Sequence, residues 1–163
     1  MPKVSPPSSA TESTEPPCGL VGKRVLVVYE SGSAGAAAVE LAHRLVQRGD
    51  CALTVVGVVP QAPGAARCEG SAVDYNRAVC SAVENELQQA REQLGHVGAA
   101  VVLRLLVEGI DPPLHAFAAA ADFDLVLLPA RRQLLRAAGH PAAARLRSTG
   151  RAEVQIVSPG NRS

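Results

Sequence analysis

Five short runs of consecutive apolar residues, rich in Val, Leu and Ile, punctuate the chain: RVLVVY at 24–29, ALTVVGVV at 52–59, AAVVLRLLV at 99–107, DLVLL at 124–128 and EVQIVS at 153–158. Runs this short, bounded by Gly, Pro or polar residues, predict strands buried on both faces. Between them the period lengthens. A helix is expected after the small-residue turn at 30–35, with Val39, Ala42 and Val46 on one face, Ala38, Leu41 and Leu45 beside them, and Gly49 closing it. Pro and Gly make 60–72 a loop, and Val79, Val83, Leu87, Ala90 and Leu94 recur at helical spacing over 73–94. Asp111-Pro112-Pro113 predicts an N-cap and a first turn that tolerates proline, opening a helix through Phe117 to Ala121. Residues 131–149 read as helix interrupted at Gly139-His140-Pro141.

Strands alternating with helices predict an α/β fold: a single-domain, doubly wound, five-stranded parallel sheet with helices on both faces. Ligands in such sheets lie beyond the carboxyl ends of the strands. Three stretches are therefore candidates: the turn after Tyr29, the end of the second strand near Val58, and the loop after Leu128. Residues 1–22 hold five of the twelve prolines among Ser, Thr and Glu, and are expected to form a disordered tail. The domain is assigned to 23–159, with a short tail at 160–163.

Composition narrows the chemistry. Aromatics are 2% (Tyr29, Tyr75, Phe117 and Phe123, with no Trp), which weighs against flavin, single-stranded nucleic-acid and sugar sites built on stacking rings. A formal net charge of +1 gives the whole molecule no strong pull toward nucleic acid or acidic membrane. No apolar run is long enough to span a membrane, and no signal peptide is evident, so a cytoplasmic location is expected. Cys18, Cys51, Cys68 and Cys80 form no C-x-x-C pair, which predicts free thiols and no metal site. No nucleophile–base pair or pair of carboxylates converges by spacing, so no catalytic residue is assigned and an enzyme is not expected. A phosphoacceptor receiver fails because the only lysines are Lys3 and Lys23. A flavodoxin-like FMN site would use Ser31 and Ser33, but Ala36 and Ala37 follow where further hydroxyls are needed.

From Lys23 to Pro159 the sequence resembles the universal stress protein family. RVLVVYESGSAGAAAVELAHRL looks like that family's opening strand, acidic turn and first helix. VEGIDPPLHAFAAAADFDLVLLPAR is similar to its central helix-and-strand block, and VQIVSP to its final strand. The family's nucleotide binders carry Gly-x-x-Gly, nine residues, then Gly-Ser or Gly-Thr after the fourth strand. Here Pro129 and Arg132 stand at the first two glycine positions, six residues precede Gly139, and His140 replaces the hydroxyl residue. Glycines allow close backbone approach with free N–H donors, and Pro129 and Pro141 each remove a donor. The usual ATP loop is therefore not expected to form.

The resemblance implies a candidate nucleotide or anion crevice of Glu30, Ser31, Ser33, Val58, Arg131, Arg132 and Gly139, with Glu30 matching the acid beside adenine and ribose. From residue 125 onward the chain carries seven Arg and one Glu. The segment from Arg131 to Arg151 can act as an anion pocket, a protein-partner patch or plain surface. The family commonly dimerises through its last strand, which implies a homodimer through residues 153–158, obstructed by Gln155→Pro. The expected function is a non-enzymatic regulatory or interaction module with no bound cofactor. The alternative is an adenine-nucleotide sensor with an arginine-based phosphate site.

Overall fold

A computed structural model of the chain describes residues 22–61, 69–130 and 141–160; residues 1–21, 62–68, 131–140 and 161–163 lie outside it. The five apolar runs become β1 (Arg24–Tyr29), β2 (Ala52–Val59), β3 (Val102–Val107), β4 (Leu125–Pro129) and β5 (Glu153–Val157). They pair in parallel in the order β3-β2-β1-β4-β5. The two crossovers through α1 (Ser33–Arg48) and α2 (Glu69–Gln93) move the chain outward to β3, and α3 (Leu114–Ala120) and α4 (Pro141–Thr149) bring it back past β1 to β5. With right-handed connections, this reversal puts the two helix pairs on opposite faces.

Strand alternation divides the core accordingly. Val25, Val27, Val55, Leu125 and Leu127 pack with Leu41 and Leu45 of α1 and Leu87 of α2. Leu26, Val28, Val56, Val126 and Leu128 pack with Ala118 of α3 and Ala143 and Leu146 of α4. The central strands β1 and β4 are thus buried on both sides, which is why their sequences lack a polar face. The expected architecture is the one found.

Several boundaries differ from the sequence expectation, and α1 already begins at Ser33 within the expected turn. Helix α2 begins at Glu69 within the expected loop, because no proline follows Pro63 there to stop it. A 3-10 turn at Gly95–Ala100 takes the start of the expected third strand, so β3 begins at Val102; Ala-Ala carries little strand preference to resist it. Asp111 is not the N-cap of α3, whose cap position is Pro113; its carboxylate instead accepts a hydrogen bond from the Val107 N–H at 2.7 Å. Pro129 closes β4 rather than following it, beyond Leu127 where the pairing of β4 with β1 ends.

At the amino end of the sheet Asp124 ties neighbouring strands. The Arg24 N–H donates to its Oδ2 at 2.8 Å, its own N–H donates to the Arg24 carbonyl at 2.9 Å, and the Glu153 N–H donates to its carbonyl at 2.8 Å. The Arg24 guanidinium lies 5.4 Å from the centre of the Phe123 ring. Asp124→Ala removes one charged acceptor at an exposed position, so stability should fall by about 1 kcal/mol. Urea denaturation measures this, and the midpoint should move without a change in slope.

Cys51 and Cys80 are free and partly buried, while Cys18 and Cys68 lie outside the described residues. Burial, reinforced by Asp50, pushes the Cys51 thiol above its ordinary value and so keeps it protonated at neutral pH. Among the described residues no helix is long and apolar enough to cross a membrane, and no group of three metal-ligating side chains occurs.

Candidate functional site

The strand order reverses between β1 and β4, and a cavity of about 710 Å³ opens beyond the carboxyl ends on the α3–α4 side. Its floor is the strand ends themselves: Val28 from β1, Val58 from β2, Leu106 and Val107 from β3, and Leu128 and Pro129 from β4. Leu114 from α3, with Ala142 and Leu146 from α4, completes an apolar wall. The polar groups on the lining are Glu30, Glu108, Asp111, His115 and Arg145.

Glu30 is held at the mouth by two glycines with different duties. Gly32 has φ +113°, a conformation that side chains resist, and it turns the chain from β1 into α1. Gly35 has an ordinary φ, but a Cβ there would overlap the Glu30 carbonyl oxygen. Its missing side chain lets the first turn of α1 rest directly on the end of β1.

The opposite wall is the turn after β3. Ile110 and Asp111 donate their N–H groups to the Val107 carbonyl at 3.1 and 2.9 Å, and the Glu108 N–H donates to the Val59 carbonyl at 2.9 Å. With the Asp111 carboxylate on the Val107 N–H, both peptide groups of the turn's first residue are used. The turn therefore presents side chains to the cavity from a fixed backbone.

The end of β4 is poor in donors. Pro129 has no N–H, and Ala130 donates its own to the Val157 carbonyl at 2.8 Å. Three acidic residues, Glu30, Glu108 and Asp111, and one arginine, Arg145, are among the described lining residues. No Ser, Thr or Cys is among the described lining residues.

Of the residues singled out by sequence, Glu30 and Val58 are brought together in this cavity. Ser31 and Ser33 are exposed on the turn and are not among the lining residues. Arg131, Arg132 and Gly139, with Arg136 and His140, lie outside the described residues. Sequence reasoning missed the wall formed by Glu108, Asp111 and Arg145. Gly109, directly after the third strand, was the available signal, since every parallel strand delivers its following turn to the same end of the sheet.

The sequence pattern of the universal stress protein family matches residues 22–152. The chain belongs to that family. Solved structures of universal stress proteins share its fold at low identity. One is UspA from Lactobacillus plantarum (TM-score 0.69, 16% identity, covering 85% of this chain and 99% of that one). Another is a family member from Burkholderia pseudomallei (TM-score 0.62, 19% identity, 87% and 99% covered). A third is a universal stress protein in complex with cAMP (TM-score 0.59, 18% identity, 86% and 99% covered). No curated protein sequence matches the chain. In this universal stress protein the cavity beyond the strand ends has a donor-poor fourth strand and a mixed-charge described lining.

Proposed function

We propose that this universal stress protein is a non-enzymatic, cytoplasmic regulatory or interaction module, dimeric through β5, whose crevice does not hold ATP by the family's glycine loop. The observation that carries this reading is the end of β4, where Pro129 lacks an N–H and the Ala130 N–H is spent on Val157. A triphosphate needs several convergent amide donors at the crevice lip, and neither of these residues supplies one. Glu108 and Asp111 add negative charge to the described lining that a polyanion must overcome. The described residues therefore do not fit a triphosphate cradle. The test is the nucleotide content of natively purified protein: acid-extracted supernatant should contain no stoichiometric ATP, ADP or AMP. A nucleotide at near one per chain would overturn the reading.

The second reading keeps an adenine nucleotide and has one observation in its favour. Arg145 lines the cavity and can replace lost amide donors with a guanidinium. A relative solved with cAMP binds a nucleotide with a single phosphate group, for which one guanidinium is a better match than for a triphosphate. Stoichiometric adenine nucleotide lost in Arg145→Ala would establish it over the first.

Dimerisation through β5 is supported by edge chemistry, with one correction to the choice of residue. The Glu153 N–H and the Val157 carbonyl both bond toward β4. Main-chain groups alternate sides along a strand, so Gln155 also faces β4, whereas Val154 and Ile156 face outward. Gln155→Pro would therefore damage the sheet itself; Ile156 is the position that tests the dimer. Arg147 already donates to the outward Val154 carbonyl at 3.3 Å, which leaves Ile156 as the centre of a self-complementary pairing.

A further inference from the structure

The other edge of the sheet, β3, is chemically unlike β5. Because the Glu108 N–H bonds to β2, alternation turns the main-chain groups of Leu103 and Leu105 outward. Both ends of this open stretch are closed by side chains. Arg91 Nη2 donates to the Val101 carbonyl at 3.1 Å, and the Asp111 carboxylate accepts from the Val107 N–H. Between these stops the N–H and C=O groups of two residues have no partner among the described residues.

The side chains along the edge specify what that strand must carry. Val102 and Arg104 point to the same face, beyond the cover of α3 and α4; Val102 is 54% exposed and Arg104 is exposed with no acidic partner among the described residues. The other large hydrophobics left exposed, Val73, Tyr75 and Ile110, lie in α2, which packs on β2 and β3, and in the turn leaving β3. Val73 and Tyr75 thus lie on the opposite face of the sheet from Val102, which stands on the open edge beside Arg104.

We propose that β3 is a strand-addition site for an extended, acidic segment of a partner protein. Such a segment would bond to Leu103 and Leu105, set a carboxylate against Arg104 and place an apolar side chain, two residues away on the same face, against Val102. A second copy of this chain is disfavoured at this edge. The antiparallel register that uses both Leu103 and Leu105 sets Arg104 directly opposite its own image, and like charges so placed repel.

The test uses the full-length protein, amide-resolved NMR, and two peptide probes, acetyl-TVTETV-amide and acetyl-TVTKTV-amide. In the free protein the Leu103 and Leu105 amides should exchange rapidly with solvent, while those of Arg104 and Leu106, bonded to β2, are protected. The glutamate peptide should slow exchange at Leu103 and Leu105 and bind at least about tenfold more tightly than the lysine peptide. Arg104→Glu, an exposed change that leaves the core intact, should reverse the preference. Equal binding of the two peptides, binding of neither, perturbation centred on Val154 and Ile156, or Leu103 and Leu105 amides already protected in the free chain would each overturn the proposal.

Discussion

Gly35→Ala is expected to destabilise the protein by about 2 to 4 kcal/mol, although Ala normally strengthens a helix. The new Cβ would occupy the position of the Glu30 carbonyl oxygen, a backbone atom that cannot rotate aside as a side-chain tip would. Helix α1 must lift from the end of β1, carrying with it part of the packing of Ala38 and Leu41 on the sheet. For a domain of this size, the melting temperature should fall by roughly 6 to 12 °C. Gly32→Ala is the informative companion, since nothing lies within contact distance of its Cβ and only the positive φ opposes it. With φ +113° and ψ −175°, a region essentially reserved for glycine, that change should cost about 1 to 3 kcal/mol. Thermal or urea denaturation reads the collision and the backbone strain separately, and a Gly35→Ala variant as stable as the native chain would contradict the account of how α1 meets β1.

Ile156→Pro is expected to split the dimer proposed through β5. In a two-fold antiparallel pairing centred on Ile156, each chain donates that residue's N–H across the interface, so the substitution removes two hydrogen bonds per dimer. At roughly 1.5 kcal/mol each, this raises the dissociation constant about a hundredfold or more. Ile156→Val controls for the partly buried side chain and should remain dimeric. Sedimentation velocity at tens of micromolar protein reads both variants. Association should also weaken at low salt, because Arg145, Arg147 and Arg151 lie on α4 and the turn that leads into β5. A dimer unchanged in Ile156→Pro, or a native chain that sediments as a monomer, would remove β5 as the interface.

The sheet was legible in the sequence because each strand announces itself twice, by an apolar run and by a Gly or Pro at its end or within three residues after it. RVLVVY and DLVLL have no polar face, and they are the central strands. The start of β3 was less legible, since Ala99 and Ala100 satisfy an apolar pattern without preferring extended backbone, and a 3-10 turn claims them. Half of the crevice followed from the rule that parallel strands deliver their ends to one side, which located Glu30 and Val58. The opposite wall depends on how the turn after β3 folds back on Val107, a contact between Asp111 and a main-chain N–H that no pattern encodes. The outward or inward sense of Gln155 and Ile156 was equally hidden, because it is fixed by which residue of β5 first bonds to Asp124.

The most direct measurement of the central claim is a calorimetric titration of the full-length protein with Mg·ATP. The account predicts no saturable heat at concentrations that would reveal affinity tighter than roughly 100 µM, about 5 to 6 kcal/mol of binding free energy. A stoichiometric isotherm with a micromolar dissociation constant would contradict it, and would mean that the crevice finds its phosphate donors despite Pro129 and the spent N–H of Ala130.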